Sequence, residues 1–186
     1  MNTRLKVPFE AGAVENLRSG EQVLLTGTLY TGRDAAHKRM VEQLEKYGSL
    51  PIGLKGQVIY YVGPTPNKPD AIIGSAGPTT SSRMDAYASK LMEKGLKGMI
   101  GKGYRSEEIV ASIKKHSAVY MAAIGGTGAL LAQKIISSEV VAYEDLGTEA
   151  IRKLEVVDFP CIVINDSHGN DWYKEAHKQF GESSNQ

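Results

Sequence analysis

Short apolar runs alternate with amphipathic stretches along most of this chain, and each change of period marks a boundary. Residues 23–30 are rich in strand formers and predict a strand that runs into Thr31-Gly32-Arg33-Asp34. Over residues 34–47, Ala36, Met40, Val41 and Leu44 share one helical face with charge elsewhere. Asp34 is suited to cap that helix. Residues 49–56 carry Pro51, Gly53 and Gly56 and predict a loop. The run 58–62 predicts a strand, stopped by Gly63-Pro64-Thr65-Pro66. A helix is expected over about 84–94, a short buried strand over 98–101, and a helix over 106–115 opening on Ser106-Glu107-Glu108. Residues 118–123 read as a strand, followed by Gly125-Gly126-Thr127-Gly128 and a helix reaching about Ile136. Three short strands, 140–142, 154–157 and 161–164, precede a last helix near 171–179 and a polar tail. Strands alternating with helices predict an α/β domain, and the paired strands after Val140 predict a mixed sheet. Residues 1–186 show no internal repeat or linker and read as a single domain, with 181–186 as a disordered tail.

Composition removes several function classes. The chain has 186 residues, 41% hydrophobic and 23% charged, enough for a real core. A net charge of +1 favours neither nucleic acid nor an anionic membrane as partner. No apolar run approaches the roughly 18–20 residues of a membrane span. The first six residues lack the apolar centre of a signal peptide, so a cytoplasmic location is expected. Cys161 is the sole cysteine, which excludes an internal disulfide and a cysteine-ligated cluster built by this chain alone. It reads as core packing in an apolar strand, with a reactive thiol as the alternative. His37, His116, His168 and His177 show no metal-ligand spacing, so no metal site is assigned.

Two stretches carry the candidate chemistry. Thr31-Gly32-Arg33-Asp34 and Gly77-Pro78-Thr79-Thr80-Ser81-Ser82-Arg83-Met84-Asp85 each set an arginine among small hydroxyl residues before a helix. A guanidinium offers a fixed fork of donors matching a carboxylate, and hydroxyls and helix N-terminal amides hold a second anionic group nearby. Lys102 occupies a third strand-to-helix loop, and such loops gather at the carboxyl ends of strands in open α/β sheets. The alternative is that both arginines are surface residues at helix starts, although cations are disfavoured there. Residues 125–128 read as a tight turn that lets Ala129 and Leu130 pack closely, or as a phosphate cradle lacking a nucleotide-loop ending. His37, one turn beyond Arg33, faces either the same cleft or the helix surface. Asp166-Ser167-His168 reads as a polar turn, since a nucleophile triad converges from separated elements.

The stretch 31–39, Tyr61-Val62-Gly63-Pro64-Thr65-Pro66 and the stretch 77–85 closely resemble the C-terminal half of class I fumarate hydratases and the similar tartrate dehydratase β subunit. Gly101-Lys102-Gly103, residues 125–128 and residues 154–160 continue the resemblance over roughly residues 5–175. It implies a swivelling β/β/α domain with a mixed sheet flanked by helices, and reversible addition of water across the double bond of a dicarboxylate. It further implies a 4Fe–4S cluster in the assembled enzyme, ligated by a separate α subunit and not by this chain. Carried over by position, Arg33, Arg83, Lys102 and Thr80 would bind substrate, and Thr79 would be the base, with Thr80 or Ser81 as neighbouring alternatives. Asp34, His37 and Asp85 are candidates for the layer that orients them. A threonine is a poor base unless another group relays its proton, and the family's relay carboxylate lies on the other half. Gly103-Tyr104 departs from the small or amide residue usual after the lysine motif.

The resemblance therefore implies the β subunit of a two-subunit fumarate hydratase, inactive in isolation, with a small dicarboxylate as substrate. A tartrate dehydratase β subunit, with mesaconate as a further substrate to assay, and a non-catalytic dicarboxylate-binding domain are the alternatives. Self-association through the exposed docking face is one outcome when the α subunit is missing.

Overall fold

A computed structural model describes residues 2–66, 69, 71–124 and 128–181, with side chains up to residue 178. Five parallel strands follow one another in space as they do in sequence: β1 (Thr3–Val7), β2 (Gln22–Thr31), β3 (Val58–Tyr60), β4 (Gly98–Gly101) and β5 (Val119–Ala123). The helices α1 (Asp34–Tyr47), α2 (Asp85–Glu93) and α3 (Glu107–Lys115) supply the crossovers from β2 through to β5. A five-residue helix, α4 (Gly128–Ala132), leads to β6 (Ile135–Ala142). The 15-residue β7 (Ile151–Asn165) then runs antiparallel to β2, β5 and β6 at once. These pairings close a ring, β2–β3–β4–β5–β7–β2, and α5 (Trp172–Gly181) packs afterwards. The sheet is mixed and flanked by helices, as the element order predicted. No helix among the described residues is long and apolar enough to cross a membrane.

Strand alternation explains the continuous apolar runs. Val58, Tyr60, Val62, Ile100, Val119 and Met121 join one core with Leu25, Phe159 and Val163. Ile59, Tyr61, Met99 and Tyr120 point the other way, into a second core with α1, α2 and α3. Both faces of β3, β4 and β5 are thus covered, which is why no polar residue interrupts them.

Several local expectations need correction. Asp34 is not the cap of α1: it already lies in the helix with its carboxylate engaged by Arg83, and Arg33, which holds the cap position, has no acceptor to make a side-chain cap bond. No helix extends to Ile136, since the β-branched residues from Ile135 onward form β6. The segments 154–157 and 161–164 are one strand, not two. Asp158 adopts φ 49° where β7 turns, and the Pro160 carbonyl still accepts from Ile124 N at 3.0 Å. A 3-10 turn over Ser81–Met84 precedes α2, so Arg83 lies inside that turn. Gly181 ends α5 and does not belong to the tail, whose remaining residues lie outside the described ones. Residues 125–127 of the glycine turn are also outside them. Gly128 is placed: a Cβ there would stand 2.4 Å from Ser75 Oγ and 2.5 Å from Gly77 N. Leu131 is the residue of α4 that packs into the core, whereas Leu130 is exposed.

Candidate functional site

The site residues gather where β2, β3 and β4 end. Lys102 follows β4 directly, Arg33 comes just past Gly32 after β2, and Gly63 lies a little beyond β3. The second arginine motif is laced between the last two. Thr79 N donates to Tyr61 O at 2.7 Å, Lys102 N to Thr79 O at 3.2 Å, and Ser81 N to Lys102 O at 2.9 Å. Thr80 bridges Lys102 in parallel register. Gly101 makes the close crossing possible, since a Cβ there would lie 2.0 Å from Ser81 Oγ. The backbone thereby brings Thr79, Thr80, Arg83 and Lys102 to one end of the sheet.

Asp34 ties that group to the first motif. Arg83 Nε donates to Asp34 Oδ1 at 2.9 Å, and Arg83 Nη2 lies 2.8 Å from Asp34 Oδ2. The Arg33 guanidinium rests on Gly63, where a Cβ would lie 2.9 Å from Nη1. Its Nε donates to Glu149 Oε1 at 3.2 Å. A cleft of about 420 Å³ opens beside this pair, bounded by Pro64, Gly147, Thr148 and Arg152. A second cavity, about 370 Å³ around Phe9, Lys55 and Lys97, lies at the opposite end of the strands. Arg83 and Lys102 are exposed at this end of the sheet, and Arg33 and Thr79 are half-buried.

The hydroxyls of the second motif are not equivalent. Ser81 is buried and its Oγ donates to Tyr120 Oη at 2.9 Å, while that phenol donates to Gly103 O at 2.8 Å. Ser81 therefore buttresses the loop, whereas Thr79 is half-buried and Thr80 exposed. Asp85 faces inward: Oδ1 accepts from Arg105 Nε at 2.7 Å and Oδ2 from Ser106 N at 2.8 Å. Arg105 is buried between the rings of Tyr61 and Tyr120, 5.5 and 5.1 Å from their centroids. Burial opposes its charge, yet Tyr61, Asp85 and Tyr120 outweigh that and raise its pKa further.

His37 lies neither on the helix surface nor in an open cleft. It is wholly buried, edge-on to Tyr61 at 5.2 Å, with Nδ1 donating to Arg33 O at 2.9 Å. That bond fixes the tautomer and leaves Nε2 without a partner. Desolvation lowers its pKa to about 4, so the ring is neutral near pH 7. Cys161 is buried in β7 and burial pushes its thiol pKa up, which removes the reactive-thiol alternative. Asp166 accepts from the backbone amides of Ser19, His168 and Asn170, a structural turn as read. Among the described residues no three His, Cys, Asp or Glu side chains converge to hold a metal ion.

Two residues of this region escaped the sequence reading. Arg105 follows Lys102 by three positions but carries no motif, and a lone arginine reads as surface. Glu149 stands 116 residues from Arg33 in a 3-10 stretch, Glu144–Glu149, without apolar periodicity.

Comparison with known proteins shows the family of the chain. The family described as Fumarase C-terminus matches residues 2–176, and the chain belongs to that family. It is 42% identical over 81% of its length to the aerobic class I fumarate hydratase of Escherichia coli. It is 39% identical over 84% to fumarate hydratase 2 of Leishmania major. In both cases it spans 28% of the relative. It is 37% identical over 93% of its length to a putative L(+)-tartrate dehydratase subunit β of Methanocaldococcus jannaschii, and covers 92% of that protein.

Proposed function

We propose that this chain is the β subunit of a two-subunit hydro-lyase that hydrates fumarate reversibly to malate. The observation that carries the reading is the convergence on one end of the sheet of Arg33, Thr79, Arg83 and Lys102, the residues to which the resemblance gives substrate and base roles. Arg33 and Arg83 hold the two carboxylates, Lys102 adds a third cation, and Thr80 lines the rim. Thr79, pinned through both its amide and its carbonyl, presents its hydroxyl as the base beside the bound carboxylate. With Ser81 Oγ committed to Tyr120, the role does not shift to that serine.

The described residues offer no ligand set for a 4Fe–4S cluster, and Cys161 is sealed in the core. The cluster is accordingly assigned to a cluster-bearing α subunit, and no step here is routed through it. The exposure of Thr80, Arg83 and Lys102 supports that assignment, because anions held by exposed cations stay in water, where charge-assisted contacts are weakest. The likeness to a putative tartrate dehydratase subunit β supports it too, because that relative is named as one subunit of an enzyme. That likeness also keeps tartrate as the alternative substrate. A cytoplasmic location completes the proposal.

The test is reconstitution with the cluster-bearing chain, assaying fumarate, tartrate and mesaconate side by side. The expected result is fumarate hydration in the mixture alone, and none from the isolated chain. Failure of the two polypeptides to associate overturns the subunit reading, and preference for tartrate overturns the substrate.

A further inference from the structure

We propose that Glu149 is a positioning residue that holds Arg33 by Nε so that both terminal nitrogens face a substrate carboxylate; this rests on the dicarboxylate reading above. One oxygen, Glu149 Oε1, accepts from Arg33 Nε and from Ala35 N, each at 3.2 Å. The second bond satisfies an amide in the first turn of α1, where the Arg33 cap supplies no side chain. The same carboxylate thus fixes the start of the helix and the guanidinium attached to it. Gly63 closes the other side, leaving no room for a Cβ against Nη1 and Cζ. A guanidinium gripped at Nε, with its face against a glycine, has one orientation left, and its Nη1–Nη2 edge stays available as a fork.

Arg83 shows the contrast. Asp34 accepts from its Nε, with Oδ2 2.8 Å from Nη2, so a carboxylate already lies along its Nε–Nη2 edge while one N–H of Nη2 and both of Nη1 remain uncommitted. The two arginines are therefore unequal in setting: Arg33, 30% exposed, is held by a carboxylate that also fixes the start of α1, whereas Arg83, 52% exposed, is held among the described residues by Asp34 alone. Neither motif reveals this, because the groups that decide it, Glu149 and Asp34, lie far along the chain from the arginines they hold.

A negative group beside a cation can also act as a rival for it, and the two roles predict opposite signs. Fumarate titrated into the full chain and followed by calorimetry, with the Arg33 Nε–H resonance followed by 15N NMR, separates them. If Glu149 positions, Glu149→Ala shifts and speeds exchange of that resonance and weakens fumarate binding about tenfold through lost preorganisation. Glu149→Gln keeps an acceptor for Arg33 Nε and Ala35 N, so it retains the resonance and stays within about threefold of the parent. Tighter fumarate binding in Glu149→Ala makes Glu149 a competitor and overturns the proposal. An Arg33 resonance indifferent to Glu149→Ala overturns it as well. Absence of fumarate binding by the parent, with the resonance still dependent on Glu149, counts against the dicarboxylate reading and not against the grip.

Discussion

Two arginine–aspartate pairs stand on either side of the same loop and have opposite exposure. Arg83 and Asp34 lie on the open face, with side chains 52% and 34% exposed. Arg105 and Asp85 lie beneath, 0% and 15% exposed. The chemistry is identical, so environment alone separates their roles. In water-accessible surroundings the pair is worth little, and a ligand carboxylate can replace Asp34 at small cost. In the interior each ion depends on the other, and the pair cannot open without leaving a buried charge. The lower pair is scaffold, and the upper one is available for binding.

Breaking the lower pair gives the largest effect. Asp85→Ala strands Arg105, whose Nη2 already has no partner, and also removes the acceptor for Ser106 N. A loss of about 3–5 kcal/mol is expected from chemical denaturation of the full chain. A loss below about 1 kcal/mol would show that Arg105 reaches water and that the contrast between the pairs is not real.

The buried layer also sets a pH dependence. His37 is neutral in the fold, with a pKa of about 4 against 6.5 when unfolded. Between those values the unfolded chain binds one more proton than the folded one, so stability rises with pH across that window. Its contribution is complete above about pH 6.5 and lost as pH falls towards 4, amounting to about 3 kcal/mol. Denaturation curves at pH 7 and pH 4.5 should converge in His37→Gln relative to the parent. An equal slope in both proteins would mean that the ring gains solvent when protonated.

Much of this scaffold was legible in the sequence, and what was not has physical causes. Helix α1 and strand β4 fall where periodicity put them, Asp34–Tyr47 and Gly98–Gly101, because an amphipathic face and a fully buried strand are strong signals. Arg33, Thr79, Arg83 and Lys102 were legible as motifs, and the structure brings them together. Strand β1 was not read, being five residues long and only partly apolar. Strand β7 was read as two pieces because Asp158-Phe159-Pro160 resembles a break. A single residue at positive φ and a proline carbonyl still in use let it continue. Glu149 and Arg105 were out of reach because each works through a fold contact with no local pattern, and charge alone suggests the surface.

The crossing that joins the two layers can be broken separately. A Cβ at Gly101 would meet Ser81 Oγ at 2.0 Å, Tyr61 Cδ2 at 3.0 Å and Thr79 O at 3.2 Å. Two of those neighbours are packed and one is backbone, so relief requires the loop to move. Gly101→Ala should therefore cost about 1–3 kcal/mol and displace Thr79. Unchanged stability together with unchanged fumarate affinity would show that the loop is not seated on β4.

The smallest stability effect is expected on the open face, and there binding and stability part company. Asp34→Asn removes the negative charge from Arg83 while keeping an oxygen that can accept from Nε. Since both partners are substantially exposed, the stability change should stay within about 1 kcal/mol. Fumarate binding should strengthen, because the Nε–Nη2 edge of Arg83 no longer has to release an ion before taking a ligand carboxylate. The corresponding change at Arg33, Glu149→Gln, should bring no such gain, since Glu149 occupies Nε and leaves the fork open. Equal gains from both substitutions would mean that a net increase in positive charge governs binding, and the distinction between a side-on and an Nε grip would then have no consequence.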